Sequence, residues 1–136
     1  MAFDLTFEVQ SNGGWDRQRL PATPESAAAA IDKLAGGAIG TLEINNGGEQ
    51  LWASGGPEWF NVWAQTGPDR FFDLVGDPDA KGTRELIVGG QSSEVPARHC
   101  ATKERALQAV WGFLSSGHIE VSDERWESQG SHVDSD

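Results

Sequence analysis

The chain has 136 residues, with 10 Lys and Arg against 21 Asp and Glu, for a formal net charge of −11. That length fits one domain with a single buried core. So acidic a chain repels phosphate backbones and anionic lipid, which argues against nucleic-acid and membrane partners, while the same field speeds encounter with a basic protein.

Residues 2–10 alternate, with Phe3, Leu5, Phe7 and Val9 on one face and Asp4, Thr6, Glu8 and Gln10 on the other, which predicts a half-buried strand. Residues 11–21 contain Asn12-Gly13-Gly14 and a local excess of arginine, and read as a loop in spite of Trp15. Thr23 caps a predicted helix that starts at Pro24, with Glu25 in its first turn. Ala27, Ile31, Leu34 and Ala35 share one face of it, and Gly36-Gly37 ends it. A face made mostly of alanine predicts a helix lying close on a sheet rather than filling a deep core. From residue 38 to 88 short strands alternate with turn signals. Leu42 and Ile44 precede Asn45-Asn46-Gly47-Gly48, a hairpin signal, and Leu51 and Ala53 alternate with Trp52 before Gly55-Gly56-Pro57. Residues 59–65, 71–75 and 85–88 follow as strands, separated by Gly67-Pro68-Asp69 and by a loop over 77–82.

The strand over 59–65 carries Phe60, Val62 and Ala64 on one face and Trp59, Asn61, Trp63 and Gln65 on the other, with Trp52 within reach on the preceding strand. Tyrosine is absent and tryptophan occurs 6 times, so large aromatic anchoring falls to Trp and Phe. If the first face packs on helices, the second is a mixed aromatic and amide surface suited to recognition. The alternative is that helices or further strands cover both faces.

Residues 89–100 read G-G-Q-S-S-E-V-P-A-R-H-C. Gly89 and Gly90 supply positive φ or close backbone approach, and Pro96 holds Val95 extended while removing a ladder donor. The segment is therefore expected as an edge strand or an irregular crossover. On an extended segment Glu94 and Arg98 share a side, either as a local ion pair, or paired with groups from neighbouring strands, or with one of them presented to a partner. Thr102 caps a second helix with Glu104 in its first turn. Ala106, Val110 and Phe113, flanked by Leu107, Trp111 and Leu114, form its apolar stripe, and Gly117 stops it. A last extended piece over 119–126 is anchored by Trp126. The polar, acidic stretch that follows reads as a frayed tail, giving one domain over 1–127 and a tail over 128–136. The elements together predict an α+β domain in which an antiparallel meander of about five to seven strands carries two main helices on one face.

No catalytic set stands out. Cys100 beside His99 is not a dyad, because neighbours on a strand point to opposite faces, and a buried structural cysteine is the expected outcome. His118 follows a helix-ending glycine and is expected to complement the helix terminus; His132 falls in the tail. Asp77-Pro78-Asp79-Ala80-Lys81-Gly82 has the outline of a calcium loop but puts Lys81 where a ligand is required and Val88 where the bidentate glutamate belongs. Neither a metal nor another cofactor is expected. An enzyme would require Cys100, His99 or a carboxylate pair to converge in a cleft. The lone cysteine excludes an internal disulfide, and with no leader pattern at the start and no apolar run near the ~18–20 residues that span a bilayer, the expected address is the cytoplasm.

The ordered motifs G-G-Q-S-S-E-V-P-A-R-H, A-L-x-A-x-x-x-F-L-x-S-G and R-W-E at residues 125–127 resemble an immunity-protein family of bacterial polymorphic toxin systems, the Imm-one family. The runs W-A-S-G-G-P-E-W-F-N-V-W-A-Q-T-G and F-F-D-L-V-G-D-P look like its actinobacterial members, and the likeness covers residues 38–127. The resemblance implies a cytoplasmic antidote that binds a cognate secreted toxin, with nucleic-acid-targeting deaminases among the toxins, and implies no catalysis. Gly89, Gly90, Pro96, Arg98 and Trp126 match the family pattern and are assigned to architecture. The toxin-facing surface is expected to draw on the aromatic face and nearby acids: Trp52, Glu58, Trp59, Trp63, Asp73, Asp77, Asp79 and Glu94. The expected partner is a basic toxin domain, and the expected state is a monomer or weak homodimer. The rival reading is a non-catalytic ligand-binding or regulatory domain that uses the tryptophan face.

Overall fold

Alternating residues at the start of the chain form strand β1 (Asp4–Ser11), with Leu5 and Phe7 buried. The computed structural model describes residues 3–11, 14–36, 39–88, 91–119 and 125–129. After β1 the chain runs through β2 (Gly14–Pro21), α1 (Pro24–Ala35), β3 (Ile39–Asn45), β4 (Gln50–Gly55), β5 (Phe60–Gly67) and β6 (Arg70–Leu74). It continues through β7 (Thr83–Val88), β8 (Gln91–Pro96), one 3-10 turn at Ala97–His99, β9 (Cys100–Ala101), α2 (Lys103–Ser116) and β10 (Trp126–Ser128). The fold is α+β. Among the described residues an 8-stranded antiparallel sheet runs β10-β6-β5-β4-β3-β1-β2, with β9 paired to β5, and β7-β8 form a separate 2-stranded ribbon.

The strands outnumber the expected five to seven for identifiable reasons. Residues 14–21 are a strand, not a loop, paired with β1 from Asp4↔Pro21 to Ser11↔Gly14. Asp16, Arg17, Gln18 and Arg19 are all exposed because β2 is an edge strand, so the apolar alternation that marks a half-buried strand is missing. Arg19 pairs with Asp4 on β1, and the Arg17 guanidinium lies 3.9 Å from Glu43 on β3. At the other edge, β10 takes in Glu127 and Ser128, and Gln129 donates to the Phe71 carbonyl at 2.9 Å. The sheet thus reaches Ser128, one residue past the expected domain boundary; residues 120–124 and 130–136 lie outside the described residues, as do Gly89 and Gly90.

Both helices are capped as the sequence predicts. The Thr23 hydroxyl accepts from the Ser26 amide (3.0 Å) and the Ser26 hydroxyl accepts from the Thr23 amide (2.8 Å), a reciprocal capping box. Thr102 accepts from the Arg105 amide, and Gly117, at φ +78°, ends α2. Asn46 in the β3–β4 turn accepts from the amides of Gly48 and Glu49 and donates to the Gly117 carbonyl at 2.8 Å, so one side chain ties the hairpin to the end of α2. His118 turns from the helix terminus to Glu49, with Nδ1 2.8 Å from its carboxylate.

The two helices share one core. Ala27, Ala30, Ile31 and Leu34 of α1 and Ala106, Val110 and Phe113 of α2 are buried with Leu5, Leu42, Ile44, Leu51, Val62 and Ala64 of the sheet. Strand alternation then fixes the opposite face. Phe60 and its partner Ala101 belong to the helix side, whereas Asn61 and its partner Cys100 point the other way. There the ribbon covers one end of the sheet, with Leu86 and Val95 packed on Cys100 and with Trp59 and Val88 at the margin. The rest of that face carries neither helix. Of the two arrangements the sequence leaves open, the structure has an intermediate one, in which the second face is covered at one end.

Candidate functional site

The registers of six strand pairs place seven residues in one row across the face opposite the helices. The pairings Arg19↔Thr6, Thr6↔Glu43, Glu43↔Trp52, Trp52↔Trp63, Trp63↔Asp73 and Asp73↔Glu127 follow one another from β2 to β10. At its centre Trp52 and Trp63 stack, with ring centroids 6.1 Å apart and planes within 14°. Offset stacking across a strand pair fixes both rings, so they form a rigid, half-buried platform. Trp52 Nε1 donates to Glu43 Oε1 at 3.0 Å, which satisfies the indole without using solvent. The platform is thus bracketed by carboxylates, Glu43 on one side and Asp73 on the other.

Trp59 does not join it. The ring packs at the edge of the ribbon cluster, with the Arg84 guanidinium 4.1 Å from its centroid. Its parity matches that of Trp63, but it lies beyond the start of β5, where the ribbon lands. Glu58, Asp77 and Asp79 are exposed in turns; the Asp77 carboxylate accepts from the Asp79 amide (3.0 Å), a local turn device. Glu94 is exposed on β8, directly opposite Glu85 of β7.

At the β6 end of the row the sheet gives way to a cleft of about 350 Å³, lined by Asn61, Asp73, Glu94, Val95, Pro96, Arg98 and His99. It exists because β6 pairs with one stretch of β5 and β9 with another, leaving a gap between them that the 3-10 turn overhangs. Arg98 pairs with a group on a neighbouring strand, one of the arrangements open to it from the sequence: its Nη2 donates to Glu127 Oε1 of β10 at 2.6 Å. His99 lies beside it, 4 % exposed, with Nε2 3.0 Å from Glu127 Oε1 and Nδ1 3.8 Å from Asp73 Oδ2. Asp73 also accepts from Gln129 Nε2 at 3.2 Å.

His99 and two carboxylates therefore converge at the cleft, the condition an enzyme reading sets. Each ring nitrogen faces a carboxylate, however, and the ring is buried, an arrangement suited to holding β10 in place. Cys100 takes no part. Its thiol points to the Pro96 carbonyl (3.6 Å) among Leu86 and Val95, and burial raises its pKa while the nearby Arg84 charge opposes the rise. Among the described residues no group of three His, Cys, Asp or Glu side chains is placed to hold a metal ion, and no helix is long and apolar enough to cross a membrane.

Sequence reasoning put Asn61 on the recognition face and weighed His99 only as a catalytic group, and it missed Glu43 and Glu127. Glu43 was recoverable once the Asn-Asn-Gly-Gly turn fixed the β3–β4 register, because that register sets it opposite Trp52. Glu127 and His99 belong to the separated R-W-E and A-R-H motifs, and only the fold brings these together. Arg98, His99 and Glu127 meet in space, while Trp126 pairs with Leu74 and packs against the main core. No protein-family model matches this chain, and a search of curated proteins finds no match.

Proposed function

We propose that this protein is an immunity protein that binds a cognate secreted toxin, one acting on nucleic acid such as a deaminase, and occludes its active site. The observation that carries the reading is the stacked Trp52–Trp63 platform on the face without helices, set between Glu43 and Asp73 in a chain of net charge −11. Interface hot spots favour tryptophan held rigidly at the centre of a patch, and an enzyme that handles nucleic acid needs a basic groove that an acidic surface can fill. The platform supplies slow dissociation; the carboxylates supply fast encounter.

The test is a pull-down from the source lysate, followed by calorimetric titration of the recovered toxin domain at two salt concentrations. A basic domain bound tightly, more weakly at high salt, is the expected outcome. Trp63→Ala is expected to weaken it by about 30-fold or more, the loss typical of a central aromatic anchor. If no protein is captured and a small molecule co-purifies, the rival ligand-binding reading replaces this one. Its signature is a change in Trp fluorescence on adding small metabolites.

A further inference from the structure

The stacked rings are tied to the hairpin turn beside them. In the β3–β4 turn the Gly47 amide donates to Asn45 Oδ1 at 3.3 Å, and Asn45 Nδ2 donates to Glu43 Oε2 at 2.9 Å. The other oxygen of that carboxylate accepts from Trp52 Nε1 at 3.0 Å, and Trp52 stacks on Trp63. Asn45 and Glu43 lie two residues apart on one face of β3, and the register sets Glu43 directly across from Trp52, so each side-chain link joins close neighbours. Both oxygens of Glu43 are occupied. The Arg17 guanidinium stands 3.9 Å from Oε1, outside hydrogen-bond range, so it adds charge without directing the ring. A hydrogen bond to a carboxylate is strong and directional, and an indole held through Nε1 cannot turn about its side-chain torsions without breaking it.

We infer that Glu43 and Asn45 are positioning residues for the tryptophan platform: they carry the geometry of the β3–β4 turn to the Trp52 indole and so fix the orientation in which both rings meet a partner. Glu43 is thereby an internal support of the recognition face rather than a group for the partner to pair with, and its charge acts only at a distance. The part played in binding rests on the proposed role of the platform. The effect on the rings does not, and it can be measured in the protein alone.

The polarity of the series supplies the test. Glu43→Gln keeps an acceptor for Trp52 but turns an amide NH2 towards the NH2 of Asn45, and Asn45→Asp sets two carboxylates against each other, so each single change breaks the series. Glu43→Gln together with Asn45→Asp restores it: the new glutamine donates to the new aspartate, which still accepts from Gly47, and the net charge stays at −11. In NMR spectra each single variant is expected to exchange the Trp52 indole proton about tenfold faster and to move the Trp63 ring protons that feel the Trp52 ring current, and the double variant to return both signals to their wild-type values. Single variants with wild-type signals, or a double variant no closer to wild type than the singles, would overturn the inference. If a single variant does not fold, the double variant alone decides between these results. With a toxin in hand, dissociation should follow the same order, faster in the singles and restored in the double. Indole signals that obey the cycle, with no toxin recovered or with a toxin whose dissociation ignores all three variants, uphold the positioning role and remove the platform from the immunity reading.

Discussion

Among the described glycines Gly76 has the least room for a side chain. A Cβ built there would lie 2.0 Å from the Cys100 carbonyl oxygen and 2.7 Å from its carbon, both backbone atoms that cannot step aside. The contact is so close because the Gly76 amide donates to the Arg98 carbonyl at 2.8 Å, stitching the end of β6 to the turn that carries Arg98 and His99. Gly76→Ala is therefore expected to cost about 3 kcal/mol or more, seen as a fall in the urea midpoint at constant slope. A loss under about 0.5 kcal/mol would show that the turn can move away freely. The turn also decides the chemistry of Cys100. Thiolate is the reacting species, and burial raises the thiol pKa, so less thiolate exists at a given pH than in an exposed cysteine. Alkylation at pH ~8 is expected to be slow in the folded protein and to accelerate at least tenfold in denaturant. Equal rates in the two states would mean that the site opens readily.

At the scale of elements, legibility followed burial. Strands that bury one face announce themselves by alternation, as β1 and β5 do, and helices with hydroxyl caps and glycine stops announce both ends, as α1 and α2 do. The edges were less legible: β2 reads as a loop, and the expected last extended piece reaches only the first residue of β10. β2 is made of exposed polar residues held by β1, and β10 is three residues held by β6, so each owes its conformation to a neighbour rather than to its own pattern. The site divides in the same way. The aromatic face was legible from parity on β5, and the Trp52–Trp63 pairing from a hairpin with strong turn signals. The cleft was not, because it is made where β6, β9 and the ribbon meet, and no local pattern encodes that junction. β10 earns its place through two side chains that point to opposite faces. Trp126 packs on the core, and Glu127 reaches Arg98 and His99. Trp126→Ala is expected to cost about 2–3 kcal/mol through lost burial, and Glu127→Gln about 1 kcal/mol, since the amide keeps the shape but loses the charge on its bond to Arg98. If Glu127→Gln proves the costlier of the two in chemical denaturation, the strand is held by its ion pair rather than by its tryptophan.

Across the whole molecule the charge is not evenly balanced. Arg17, Arg19, Arg98 and Lys103 are paired with Glu43, Asp4, Glu127 and Asp32. Among the described residues exposed Glu58, Asp77, Asp79, Glu85 and Glu94 form no ion pair, so part of the negative surplus is displayed on turns and on the ribbon rather than neutralised locally. A field of that kind acts at a distance. It raises the rate of encounter with a basic partner and is screened over a Debye length of ~8 Å at physiological ionic strength. The stacked rings at the platform act only on contact and are indifferent to salt. The two contributions should therefore separate in kinetics. Raising the salt concentration from about 20 mM to 500 mM is expected to slow association about tenfold or more while leaving dissociation nearly unchanged. Trp63→Ala is expected to do the reverse, speeding dissociation with little effect on association. Replacing Asp77 and Asp79 together by Asn, at positions remote in sequence from both rings, should reproduce part of the salt effect without touching the dissociation rate. If salt instead acts on dissociation and Trp63→Ala on association, the division of labour between charge and aromatic platform is wrong, and the carboxylates at Glu43 and Asp73 must be contact residues in their own right.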